Sequence, residues 1–164
     1  MDRYKMEDLK KWKNSTNRKP LIIRGARQVG KTWLMQEFGR KYYEKCAYIN
    51  FDDNTRMNSL FNEDFNIEKI IQGLKIESGV NIEPENTLII LDEIQETPRA
   101  LKALKYFCEN AREYHVVSAG SLLGVAIHEG TSFPVGKVDF MDLMPLSFFE
   151  FLDALGQKDL LKIL

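Results

Sequence analysis

Apolar residues in this 164-residue chain follow two rhythms. Short unbroken runs, Leu21-Ile22-Ile23, Leu88-Ile89-Ile90-Leu91 and Val116-Val117, read as strands buried on both faces. Elsewhere apolar residues recur every three or four positions among charged ones, which predicts amphipathic helices. One such helix covers residues 3–14, with Tyr4, Met6, Leu9 and Trp12 as its stripe. A second carries Trp33, Leu34, Met35 and Phe38 among Gln36, Glu37, Arg40 and Lys41. Further helices are predicted at 55–62, at 65–77 on Phe65, Ile67, Ile70, Ile71, Leu74 and Ile76, from Pro98 to Arg112, and at 147–155. Pro98 suits a first helical turn. Strands are predicted at 21–23, 47–51, 87–91, 115–119 and 137–141. Asn14-Ser15-Thr16-Asn17, Asp52-Asp53-Asn54, Gly79 with Pro84, and residues 129–135 are the punctuation. Strands alternating with helices imply an α/β fold: a mostly parallel five-stranded sheet with helices on both faces.

The first strand runs into Gly25-Ala26-Arg27-Gln28-Val29-Gly30-Lys31-Thr32, which reads G-x-x-x-x-G-K-T, with Trp33 opening the helix behind it. Strand, glycine loop and helix is the context of a triphosphate-binding P-loop. Two glycines let backbone N–H groups converge on one anion. Lys31 brings an ammonium to the β- and γ-phosphates, and the Thr32 hydroxyl can ligate Mg²⁺. The positive end of the following helix faces the same charge.

The run Leu88–Leu91 ends in Asp92-Glu93, 61 residues after Lys31. This is the pattern of the second nucleotide motif, Walker B. A buried strand delivers Asp92 to the sheet edge where α/β proteins bind ligands. Asp92 can hold Mg²⁺ with Thr32, and Glu93 can orient or deprotonate the attacking water. Past the fourth strand, Ser121 is the first choice and Ser118 the second for a polar group touching the γ-phosphate or the water. A helix N-cap is the alternative for Ser121. Phosphoryl transfer also calls for a cation on the outer face of the γ-phosphate. No arginine follows Arg112, so the candidates are Arg27, Arg99, Lys137, or a residue from outside this chain.

With 44% hydrophobic and 29% charged residues, a real core is affordable and disorder is excluded. A net charge of −1 argues against a general nucleic-acid binder. Residues 1–31, however, hold ten Lys/Arg against three Asp/Glu, and residues 50–99 hold four against eleven. The basic end could meet nucleic acid or an acidic partner, or simply form a solvated face with phosphate-facing charges. Cys46 and Cys108 lack metal-ligand spacing and read as core residues of a reducing compartment. No apolar run reaches membrane-spanning length and the charged start is no signal peptide, so a cytoplasmic protein is expected.

The segments from Lys19 through Thr32, Leu91-Asp92-Glu93-Ile94-Gln95, Ser118 through Ala126, and Phe133 through Val138 running into Pro145-Leu146-Ser147-Phe148-Phe149-Glu150-Phe151 carry a resemblance. The chain resembles the prokaryotic AAA-superfamily ATPases whose ATPase domain precedes a C-terminal domain of unknown function. The resemblance implies a three-layer α/β/α P-loop core and ATP with Mg²⁺. It also implies catalytic or binding roles at Lys31, Thr32, Asp92, Glu93 and Ser121. Many relatives have Gly-Arg where this chain has Gly136-Lys137; lysine keeps the charge but loses the planar fork. Residues 1–164 are expected to be a single ATP-binding domain, the N-terminal part of a longer protein, because the final segment ends on an uncovered apolar face. ATP hydrolysis driving a conformational change in an attached domain or partner is the leading expectation. The alternative is an ATP-binding regulatory switch with negligible turnover. An arginine-rich lid, as a small-molecule kinase needs, and the Asn-Lys-x-Asp motif of a GTPase are both absent. Self-association, and nucleic acid as a partner, are left open. Tyr4 could stack on the base or pack in its helix.

Overall fold

The computed structural model describes residues 5–25, 30–120 and 136–143. Along the chain these form α1 (Lys5–Asn14), β1 (Leu21–Arg24), α2 (Lys31–Tyr42), β2 (Lys45–Asn50), α3 (Thr55–Glu63), α4 (Ile67–Ser78) and β3 (Thr87–Asp92). A 3₁₀ turn at Ile94–Glu96, α5 (Pro98–Asn110), β4 (His115–Ala119) and β5 (Asp139–Asp142) follow. The strands pair in the order β2-β3-β4-β1-β5, and every pairing is parallel. The helix predicted at 147–155 lies outside the described residues.

Side-chain alternation divides the core in two. Leu21, Ile23, Leu88, Ile90, Val117 and Ala119 face α1 and α2, packing on Leu9, Leu34, Met35 and Phe38. Ile22, Ala47, Ile49, Ile89, Leu91 and Val116 face the other way, onto Phe61, Ile70, Leu74, Leu104 and Phe107 of α3, α4 and α5. Helices therefore cover both faces, which is why β1, β3 and β4 are buried on both sides.

Helix ends follow local chemistry. Asn54 accepts from Met57 N–H at 3.2 Å and Asn66 from Lys69 N–H at 3.1 Å, capping α3 and α4. Trp12 anchors α1 by donating its indole N–H to the Lys19 carbonyl at 2.7 Å. At Gly39, α2 approaches the sheet so closely that a Cβ would lie 2.7 Å from Cys46 Sγ and 3.3 Å from Leu88 Cδ2. This seats the last turn of α2 against the beginnings of β2 and β3.

The fifth strand differs from its predicted span. It begins at Asp139, leaving Lys137 and Val138 in the turn before it, because ladder pairing starts only at Leu21↔Asp139. β2 begins two residues earlier than predicted, at Lys45, which pairs with Thr87. Ile76, predicted in an apolar stripe, is 83% exposed near the end of α4.

Candidate functional site

In a parallel sheet all C-terminal strand ends lie along one edge. The register sets Asn50 beside Asp92, and Asp92 beside Ala119. β1 delivers Gly25 to this edge, with β4 between β1 and β3. Residues 26–29, which include Ala26, Arg27, Gln28 and Val29 of the phosphate motif, lie outside the described residues, as does Ser121. Their flanks are described. Gly30 has φ 89° and ψ 23°, a left-handed conformation that favours glycine, and forms the N-cap of α2. Gly30 has no side chain with which to cap that helix end, and no acidic residue occupies the first turn of α2. Its positive end is therefore not offset by the helix's own residues. Trp33 is half-buried on the same turn and packs on the α1/α2 side of the core.

Lys31 is only 8% exposed, and its Nζ donates to the Gly25 carbonyl at 2.8 Å across the loop. Burial lowers its pKa, with the Glu93 and then the Asp92 carboxylates opposing that shift. A buried cation beside two acids is thus the electrostatic centre of the cluster.

Asp92, 3% exposed, sits on the α2 face of β3. Thr32 Oγ1 donates to its Oδ2 at 2.7 Å, joining residues sixty positions apart. Its Oδ1 accepts the Glu93 N–H at 3.0 Å. A third donor was not foreseen from the sequence: the Tyr48 hydroxyl reaches Asp92 Oδ2 at 2.6 Å. Burial chiefly, then the bond to Asp92, pushes the Tyr48 pKa up, so the phenol stays a donor. An aromatic residue in a strand reads as core. The available signal was the order of motifs: β2 runs beside the Asp92 strand, and only Cys46, Tyr48 and Asn50 alternate onto its α2 face.

Glu93 leaves the strand in a left-handed conformation (φ 56°, ψ 42°), unusual for a non-glycine residue. Its Oε2 accepts from Gln95 Nε2 at 2.6 Å. Gln95 Oε1 is buried without a hydrogen-bond partner.

Three residues weighed from the sequence lie away from this cluster. Ser118 pairs with Leu91 and Ile22, so its buried, unpartnered hydroxyl lies on the α3–α5 face, opposite Asp92. Lys137 precedes β5 at the other end of the sheet, 3.4 Å from Glu109 in the last turn of α5. Arg99 donates to the Phe61 carbonyl at 2.7 Å and lies over the Phe65 ring.

The donor set suits magnesium. A carboxylate and a hydroxyl are hard oxygen ligands, and Mg²⁺ takes its remaining ligands from water and phosphate. Among the described residues no cluster of three or more His, Cys, Asp or Glu side chains could hold a metal alone.

A family model described as an AAA domain matches residues 17–152. The chain belongs to the AAA-domain family. No curated protein matches it. Two solved structures share the fold of this AAA domain. The Walker-type ATPase PABY2304 of Pyrococcus abyssi aligns with a TM-score of 0.58 at 16% identity, over 93% of this chain and 57% of that one. The Orc1 protein of Aeropyrum pernix, solved in complex with DNA, aligns at 0.55 and 15%, over 93% of this chain and 47% of its own. The chain therefore spans about half the length of these neighbours. At such identities the likeness is one of fold. Family and fold are those of nucleotide-binding P-loop ATPases. Among the described residues no helix is long and apolar enough to cross a membrane.

Proposed function

We propose that this AAA domain binds ATP with Mg²⁺ and hydrolyses it, and that the change in contacts moves an attached C-terminal domain or a protein partner in the cytoplasm. The observation that carries this reading is the 2.7 Å bond from Thr32 to Asp92, which joins the ends of two separate sequence motifs into one set of oxygen donors.

Residues 25–32 cradle the triphosphate with their backbone N–H groups, aided by the positive end of α2. Lys31 leaves the Gly25 carbonyl for the phosphates and balances charge that develops there. Thr32 and Asp92 hold the magnesium, which when bound neutralises phosphate oxygens. Glu93 orients a water and accepts its proton on a carboxylate oxygen. Ser121 supplies a hydroxyl toward the γ-phosphate or the water. The outer cation is Arg27 or comes from beyond this chain, since Arg99 and Lys137 are engaged elsewhere.

A second reading rests on the Gln95 contact. With Glu93 held at 2.6 Å by an amide donor, the domain would bind ATP as a regulatory switch and turn it over negligibly. Single-turnover hydrolysis of Mg-ATP separates the two. Release of phosphate that Glu93→Gln suppresses supports the hydrolase; a wild-type rate equal to that variant's supports the switch. The net charge of −1 supports a protein partner over nucleic acid, although the Orc1 neighbour was solved with DNA. The match of this chain to about half of each neighbour supports its being the ATPase part of a longer protein.

A further inference from the structure

We propose that Tyr48 is a positioning residue for the metal corner, holding the Asp92 carboxylate in the one orientation that favours a small divalent cation, magnesium, over a larger one. This rests on the assignment of Asp92 and Thr32 to that cation.

The argument starts from the three bonds that hold Asp92. Its Oδ1 is tied to the adjacent Glu93 N–H at 3.0 Å, a contact that by itself fixes only one oxygen. Its Oδ2 receives both Thr32 Oγ1 at 2.7 Å and the Tyr48 hydroxyl at 2.6 Å. The two donors differ in what they can give up. Thr32 is exposed in the first turn of α2, and its hydroxyl is itself a ligand for the cation, so its bond to Asp92 is exchangeable. Tyr48 is not a cation ligand. Its ring packs on the α1/α2 side of the core, and its backbone is locked by the β2–β3 ladder, six paired residues long, opposite Ile90.

Residue type follows from distance. Position 48 lies two residues short of the register partner of Asp92, about 6.6 Å along a strand. A phenol spans that gap; a serine or threonine hydroxyl does not. Tyrosine thus provides a rigid donor from the neighbouring strand to the oxygen that Thr32 would release.

The chemical consequence concerns ion size. Magnesium demands near-ideal octahedral geometry, whereas calcium accepts varied angles and ligand numbers. Outer partners of a ligating carboxylate typically account for 10–100-fold in metal affinity. Losing the donor at position 48 lets the carboxylate turn, which penalises the demanding ion more than the tolerant one.

The test titrates the whole chain with Mg²⁺ or Ca²⁺ and reads binding of a fluorescent ATP analogue, in wild type and Tyr48→Phe. That substitution keeps the ring and removes one oxygen. The expected result is a Mg²⁺ half-saturation raised about tenfold, a Ca²⁺ half-saturation changed far less, and unchanged metal-free nucleotide binding in EDTA. Tyr48→Met, which fills the space differently, should give the same magnesium-selective shift. A purely structural role would weaken all three measurements together, and that outcome overturns the proposal, as does an unchanged response to magnesium. If wild-type nucleotide binding ignores magnesium altogether, the Asp92–Thr32 assignment falls and the role of Tyr48 with it. A responsive wild type matched by both variants removes Tyr48 alone.

Discussion

Two tyrosines on the same face of the sheet make bonds of equal length at opposite ends of it. At the N-terminal edge the Tyr43 hydroxyl lies 2.6 Å from His115 Nδ1. At the C-terminal edge the Tyr48 hydroxyl lies 2.6 Å from Asp92 Oδ2. The surroundings separate them. His115 is 4% exposed, with Trp12 edge-on at 6.0 Å and Phe38 packed on Tyr43 at 5.4 Å. Burial chiefly, then Arg18 and Lys13, pulls its pKa down to about 4, so the imidazole is neutral in the folded protein. A neutral pair can be sealed among aromatic rings at low cost. Asp92 instead meets Lys31, an exposed threonine and the uncapped start of α2. The first pair serves stability; the second sits where a ligand can compete for its bonds.

That contrast can be broken in both directions. The largest expected effect is at the C-terminal edge: Glu93→Gln should slow single-turnover ATP hydrolysis by about 10²–10⁴-fold while nucleotide binding persists. Lys31→Ala should abolish the rise in melting temperature caused by Mg-ATP. That rise represents about 2.7 kcal/mol at ligand one hundred times Kd, and a full shift in the variant would contradict the phosphate assignment. At the other edge, stability should depend on pH through His115. The unfolded imidazole gains its proton near pH 6.5 and the folded one only near pH 4. The unfolded state therefore binds more protons across that window. Stability should be complete above it and fall as pH drops through it, by on the order of 3 kcal/mol. Urea melts across this range should show the slope in wild type and not in His115→Gln, whose Mg-ATP response should be intact. The smallest effect expected is for Gly39→Ala: about 1–2 kcal/mol of destabilisation from crowding Cys46 and Leu88, read by the same melts. Nucleotide affinity should be little changed, because Gly39 lies in the last turn of α2, at the opposite end of the helix from Lys31.

The fold was legible because buried parallel strands and amphipathic helices leave opposite signatures. Leu21–Ile23 and Leu88–Leu91 are apolar on successive positions since each face meets a helix layer. Strand ends were harder. β5 is short and at the sheet edge, and its start is set by pairing with Leu21 rather than by its own composition. By either boundary Lys137 stands at the N-terminal end of β5, and it is the parallel pairing with β1 that sets it at the opposite edge of the sheet from Lys31. At the site, local motifs named Lys31, Thr32, Asp92 and Glu93 as candidates. Tyr48 is joined to them only through strand adjacency, and Gln95 only through the turn that Glu93 makes. The face on which Ser118 lies likewise depends on register, which an isolated apolar run does not encode.

The twist at Glu93 has a consequence for what can stand in that position. Left-handed backbone is tolerated best by glycine, then by asparagine and aspartate, yet none of these carries an acid on two methylenes. Glycine would relax the chain and discard the carboxylate; aspartate would fit the turn and fall short by a carbon; glutamine would keep the length and lose the charge. Comfort of the main chain and reach of the side chain pull toward different amino acids, and on the proposed role of Glu93 the strained turn is what the longer acid costs.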